Sequence, residues 1–372
     1  MRNVTLDFTV GNFNRLESYC GKTVLITGHN GFTGSWLCLW LSILGAKVVG
    51  YALEPPTQPD LYSILKLKGR VNDVYGDIRD LNQLKRVVEN YQPEVIFHLA
   101  AVPIVRESYK HPRLTYETNV MGTVNLLEAV RASSCVRAVV VVTSEKCYQN
   151  NEEYKSYCEN DPLGGFDPYS SSKACIEIMT ASWLHSYFQP NNGRDPSVGI
   201  ATVRPSNIIG GGDWAIDRLI PDCVRALNSG RPILLRNPTH RRPWQFVLNP
   251  LYAYLLLGTY LLEDSVRYSG AWNIGAIDKE LWSVETIVQT IIRVWGKGRF
   301  EIDHNENQPY EDAYLTMDCR KAQVLIGWQP PYDLFKGLVE TVAWYQHYFT
   351  QNSDKAILKF SINQISSFME LI

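Results

Sequence analysis

The chain has 372 residues, with 36 Lys+Arg against 38 Asp+Glu, 45% hydrophobic residues and 20% charged ones. That length allows one large or two modest domains with ample core. The near-neutral balance, with no basic stripe and no acidic tail, excludes a general polyanion binder and predicts no nucleic-acid partner.

In chain order, the opening "MRNVTLDFTV" lacks the basic patch and apolar block of a secretory signal. "TVLIT" (Thr23 to Thr27) reads as a strand, followed by a Gly-rich turn and a helical pattern, "GSWLCLWLSILGA". "KVVGYAL" and "VYGDI" read as strands, "LNQLKRVVENY" as a helix and "VIFHLAA" as a strand. "TNVMGTVNLLEAVRAS" then predicts a helix, "AVVVVTS" a strand, Tyr169 to Phe188 a long helix and Gly199 to Asn207 a further strand. Continuous apolar strands separated by helices predict an α/β fold, a doubly wound parallel sheet of Rossmann type covered on both faces. Beyond Asn207 prolines recur (Pro221, Pro232, Pro238, Pro243, Pro250) and predict a smaller, looser lobe. The expected division is a cofactor domain over 20–205, a substrate lobe over 206–350 and an amphipathic tail over 351–372. The strand near Gly270 to Ala276 is expected to return to the first sheet. The longest apolar stretch, Leu251 to Leu262, is too short to cross a bilayer, so no membrane partner is expected. Ile362, Ile365, Phe368 and Ile372 have near-helical spacing, which predicts a helix packing on its own core or on another subunit. Eight scattered cysteines with no CxxC predict free thiols in a reducing cytoplasm and no metal site.

Gly28, Gly31 and Gly34 form G-x-x-G-x-x-G between the first strand and its helix. Glycine lets the backbone approach a pyrophosphate, and the helix N-terminus offers it free N–H groups. Asp77 in "GDI" is positioned either to accept an adenine amino group or to close a turn. Leu99, Ala100 and Ala101 put small groups at a strand end, and His98 reads as a packed side chain. Glu54, with no arginine nearby, favours NAD over NADP. Tyr169 and Lys173 share one helix face at i, i+4. An ammonium there favours the phenolate and brings the tyrosine toward the working range of a base.

These motifs together resemble the extended short-chain dehydrogenase/reductase superfamily, in its nucleotide-sugar branch. "GHNGFTGSW", "NVMGTVNLLEA", "TSEKCYQN", "LGGFDPYSSSK", "IIGGGDWAIDRLIP" and "RRPWQFVLNPL" narrow the resemblance to the CDP-glucose 4,6-dehydratases. It implies tightly bound NAD, a nucleotide-sugar substrate and a homodimer or homotetramer. The implied catalytic set is Ser144, Glu145, Lys146, Tyr169 and Lys173. Tyr169 is the base toward the sugar 4-hydroxyl, Lys173 supports it, and Glu145-Lys146 handle the elimination. The cofactor set is Gly28, Gly31, Phe32, Thr33, Gly34, Asp77, Ile78, Leu99, Ala100, Ala101 and Asn119, with Tyr169 and Lys173. The substrate side comprises Asn207, Arg242, Arg218 and Arg236, where planar guanidinium groups suit a pyrophosphate. The chain departs from the family pattern with Glu145 for Asp, Thr33 for Lys and "RPSN" for "RAGN". A nucleotide-sugar 4-epimerase or 4-reductase, or an inactive sugar-nucleotide-binding protein on the same scaffold, are the competing readings.

Overall fold

Runs of apolar residues without alternation become strands buried on both faces. The computed structural model describes residues 14–151, 155–188, 198–276, 281–303, 312–351 and 353–372; the opening decapeptide lies outside them. Seven strands form one sheet: β1 (Thr23–Thr27), β2 (Lys47–Ala52), β3 (Asn72–Tyr75), β4 (Val95–His98), β5 (Ala138–Val142), β6 (Gly199–Pro205) and β7 (Gly270–Ile274). Their order is β7-β6-β5-β4-β1-β2-β3, and every neighbouring pair is parallel. The order reverses between β1 and β4, and at such a point the loops leaving the two strands diverge and open a crevice.

The sheet is covered on both faces. Helices α1 (Phe32–Ile43), α2 (Leu81–Tyr91), α3 (Gly122–Ala132), α4 (Pro168–Trp183), α5 (Leu248–Glu263), α6 (Leu334–Thr350) and α7 (Asp354–Met369) supply most of the cover. Leu25, Val49, Ile96, Val139 and Ile200 face a core completed by α2, α3 and α4. Val24, Ile26, Phe97, Val140 and Val203 face the opposite core with α1, α5, α6 and α7. Asp80 and Asp167 cap α2 and α4 by accepting the N–H groups of Gln83 and Ser170.

Three sequence expectations differ from the structure for local reasons. "VYGDI" stays a strand only to Tyr75, because Asp77 turns the chain by accepting the Arg79 N–H at 2.9 Å. The helix expected from Thr118 starts with a wider π turn over Glu117–Met121 before α3. The helix expected to reach Phe188 likewise ends α4 at Trp183 and continues as a π turn, Leu184–Phe188.

The region beyond Asn207 is not loose throughout. Short parallel pairs join Asn207–Ile209 to Trp244–Phe246 and Ile233–Leu235 to Phe300–Ile302. The proline signal misleads here: Pro221 and Pro250 sit in the first turns of the Leu219–Asn228 helix and of α5, where their missing N–H has no helical partner. Helix α5 holds the apolar stretch identified above, and it is buried on every side from Leu248 to Leu261, against β5 and β6. At the C-terminal end, α7 packs on the chain's own core. Phe368 meets Trp40, Tyr252 and Tyr332 at ring distances of 5.5, 6.3 and 5.2 Å.

Candidate active site

The loop after β1 passes under the loop after β4. Gly28 has φ +71°, and a Cβ there would come within 2.7 Å of the Ala100 nitrogen. At Gly34 a Cβ would reach 2.2 Å from the Gly28 carbonyl, so α1 can seat on the loop only without a side chain. Gly31 differs: its Cβ would meet nothing closer than 3.5 Å, leaving room above the N-terminus of α1. Gly31 caps that helix with no side-chain hydrogen bond, and no acidic residue lies in the first turn. Free N–H groups and the positive end of the helix dipole therefore face an open space, which fits a dinucleotide pyrophosphate. Gly34→Ala is expected to destabilise the protein by roughly 1–3 kcal/mol through overpacking. Thermal melting with and without NAD checks this, and an unchanged Tm would contradict it.

Phe32, Thr33, Leu99 and Ala101 lead from this loop into a cleft of about 360 Å³. Ser144, Glu145, Lys146, Tyr169 and Lys173 line its floor, and Asn207, Arg218, Arg236 and Arg242 line its far side. Among the described residues, Gly28, Gly31, Gly34, Asp77, Ile78, Ala100 and Asn119 do not line it. Ile78 is buried in the core. The Asp77 carboxylate is gripped by the Arg79 guanidinium, which holds it below the usual carboxylate range. Asn119 accepts the Val102 N–H at 2.8 Å and donates to Ser172 Oγ at 2.9 Å, so it ties the β4 loop to α4. His98 is packed, as its sequence suggests. Its ring nitrogens meet Thr27 and Thr123 hydroxyls at 2.6 and 3.0 Å, and burial pushes its pKa down to about 3. Glu54 is exposed, two residues past the end of β2.

Ser144, Glu145, Tyr169 and Lys173 are buried, and Lys146 is half-buried. Ser144 Oγ donates to Glu145 Oε2 at 2.8 Å and accepts the Lys146 N–H at 3.2 Å. Burial raises the Glu145 carboxyl above its ordinary range; Lys146, the Ser144 hydrogen bond and Arg242 only partly offset this. Tyr169 is pushed well up by burial and by the Glu145 charge, with a hydrogen bond to Ser144 and the charge of Arg218 pulling the other way. Lys173 donates to the Val142 carbonyl at 3.0 Å, and its ammonium lies 5.8 Å from the Tyr169 ring centre. Burial brings Lys173 down to about 8, with Glu177 acting against it. The expectation that the ammonium would lower the phenol pKa is thus corrected: burial outweighs it.

Sequence reasoning missed what stands beneath and across from these groups. Glu177, one helical turn past Lys173, accepts from Thr143 Oγ1 (2.5 Å), Thr202 Oγ1 (2.7 Å) and Arg204 Nη2 (2.8 Å). Its i, i+4 position after Lys173 was the available signal. Across the cleft, Arg218 pairs with Asp213 at 3.0 Å and Arg236 with Asp217 at 2.9 Å. Arg242 donates to the Asp312 carbonyl at 2.6 Å. Arg106 and His240 also line the cleft.

The family model for GDP-mannose 4,6-dehydratase matches residues 25–341. A CDP-glucose 4,6-dehydratase of Salmonella typhimurium is 45% identical over 88% of this chain and 91% of its own. A dTDP-glucose 4,6-dehydratase of Xanthomonas campestris is 28% identical over 87% of this chain and 93% of its own. Among solved structures, dTDP-glucose 4,6-dehydratase of Bacillus anthracis, in complex with NAD, superposes with a TM-score of 0.73 at 25% identity, covering 88% of this chain and 97% of its own. With its glycine loop, its Tyr169–Lys173 pair and its seven-stranded parallel sheet, the chain belongs to the GDP-mannose 4,6-dehydratase family of extended short-chain dehydrogenase/reductases.

Proposed function

We propose that the chain is an NAD-dependent nucleotide-sugar 4,6-dehydratase that converts CDP-D-glucose to CDP-4-keto-6-deoxy-D-glucose. The observation that carries this reading is the buried Glu145 carboxyl hydrogen-bonded to Ser144 beside Tyr169. A 4-epimerase needs only the serine, tyrosine and lysine; an acid poised next to them serves a departing hydroxyl. The 45% identical CDP-glucose 4,6-dehydratase supports the choice of sugar nucleotide.

The chemistry supplied by bound NAD is hydride transfer from C4 and its return at C6. Gly31, Phe32 and Thr33 at the N-terminus of α1 hold its pyrophosphate. At neutral pH the Tyr169–Lys173 pair carries two protons and releases the first near pH 8, from the lysine in the resting arrangement. Shifting one proton between them gives phenolate beside ammonium, the form that takes the C4 hydroxyl proton. Ser144 hydrogen-bonds that hydroxyl. The resulting 4-ketone acidifies C5–H; Lys146 removes the C5 proton while Glu145, whose carboxyl burial biases toward the protonated form, gives a proton to the leaving 6-hydroxyl. Arg218, Arg236 and Arg242, with Asn207, hold the substrate diphosphate. The pairs with Asp213 and Asp217 engage Nη1 of the first two and leave further guanidinium N–H groups for the diphosphate.

Exposed Leu114, Met121 and Ile178 on adjoining helices support a homodimer or homotetramer built on this face. All eight cysteines are free, which supports a reducing, cytoplasmic setting, and among the described residues no helix is long and apolar enough to cross a membrane. The deciding experiment incubates the purified protein and NAD with CDP-, UDP-, GDP- and dTDP-glucose and follows loss of water by mass. CDP-glucose is expected to react fastest, by about tenfold or more, the scale that one pocket contact commonly supplies. A 4-epimer without water loss would establish an epimerase, and binding of NAD without turnover of any sugar nucleotide would establish an inactive homologue.

A further inference from the structure

Directly behind the catalytic floor lies a buried charged cluster that the dehydration steps above do not use. Glu177 and Arg204 are 3% and 2% exposed and form an ion pair at 2.8 Å. The Glu177 carboxylate collects hydroxyls from two neighbouring strands: Thr143, at the end of β5 next to Ser144, and Thr202 of β6. Thr143 Oγ1 also lies 2.9 Å from the Val203 carbonyl, so its single hydroxyl proton is shared between the carboxylate and that carbonyl. Arg204 continues the network to the Tyr148 hydroxyl and the Glu159 carbonyl at 2.8 and 3.0 Å. The position where β5 hands over to Ser144 and Glu145 is therefore set from below by one carboxylate.

We infer that Glu177 is a positioning residue of the reaction: it fixes the β5 end that presents Ser144, and it is the countercharge that keeps an ammonium at Lys173 beside Tyr169. This rests on the proposed roles of Tyr169 and Lys173. A buried carboxylate one helical turn from a buried lysine favours the charged lysine, while burial alone disfavours it. The groups facing Lys173 are Tyr169 and Glu177 on its own helix, Cys147 from the turn after β5, His98 from β4 and the Val142 carbonyl of β5. Those facing Glu177 are Thr143, Thr202, Arg204 and Cys147, with Lys321 of the Arg320–Ile326 helix further off. Among the described residues facing Lys173, Glu177 is the one carboxylate, so its loss leaves burial to drive proton release.

A merely structural ion pair would predict lower stability and nothing else. Glu177→Gln leaves Arg204 buried without a counterion, so the decisive variant is the double replacement Glu177→Gln with Arg204→Met, which removes both charges at similar volume. Lys173 titration is followed by NMR of protein labelled with ¹³C-lysine and assigned with Lys173→Met. In the double variant the midpoint is expected to move lower by about one pH unit. The rising limb of kcat/KM against pH should move with it, and the plateau of kcat should fall by about tenfold, because phenolate beside ammonium is the less favoured form there. Glu177→Asp keeps the charge and is expected to leave the titration in place while lowering kcat through the displaced Thr143. A double variant that melts like the parent and titrates Lys173 at the parental pH overturns the inference. If the parent removes water from no nucleotide glucose, the dehydratase reading fails, and the Lys173 titration still decides the role of Glu177.

Discussion

In Tyr169→Phe, turnover of the sugar nucleotide falls by about 10³-fold, the usual contribution of a positioned base, while the fold persists, since the buried ring keeps its place in the first turn of α4. Single-turnover mass analysis checks this, and activity that survives the change would remove Tyr169 from the mechanism. In the parent enzyme the pH dependence follows from the same pair. Below about pH 8 Lys173 and Tyr169 both hold protons, and the reactive form is scarce. One proton fewer makes phenolate beside ammonium accessible, so kcat/KM rises with pH through about 8 and then levels. A profile that falls across that range would contradict the assignment.

Glu145→Gln separates the two halves of the reaction. The amide keeps the hydrogen bond from Ser144 but has no proton to give to a leaving hydroxyl, so formation of the 4-keto-6-deoxy product drops by about 10²- to 10⁴-fold. Oxidation at C4 needs only Ser144, Tyr169 and Lys173 and is retained. Quenching the reaction with borodeuteride reads this out. Deuterium at C4 of recovered hexose, with little 6-deoxyhexose, is the expected pattern. Abundant 6-deoxyhexose from the variant would show that Glu145 is not the acid. Because glutamate reaches one methylene further than aspartate, its placement depends on the Ser144 contact at 2.8 Å. An ångström of misplacement is worth about a hundredfold in rate.

What could be read from the sequence was what local rules encode. Unbroken apolar runs announced β1, β4, β5 and β6, and three glycines with a strand before and a helix after announced the loop. Four-residue spacing put Tyr169 and Lys173 on one face. Partnerships across long stretches of chain were not legible. Nothing near Arg204 in sequence says that it meets Glu177, and nothing near Asn119 says that its amide is taken up by Val102 and Ser172. Arg236 meets Asp217 only because a short strand brings it back across the cleft. The phenol pKa escapes the sequence for a related reason: spacing shows the nearby ammonium but not the depth of burial. Proline frequency suggested a loose second lobe, but frequency does not reveal that two of those prolines sit where helices begin.

Helix α5 follows the Trp244–Phe246 strand on the sugar side of the cleft, yet it packs on β5 and β6 beneath the catalytic floor. Asn249 at its start bonds Tyr332 and Trp328, and the Leu255 carbonyl in its middle accepts from Tyr19 at the other end of the chain. A cut between the two lobes exposes this largely apolar, buried rod. The cleft therefore does not open as a hinge between independent halves. Calorimetry should give a single melting transition, and neither half expressed alone should hold its shape. On this packing the cofactor loop and the sugar side of the cleft share one core, joined by α5.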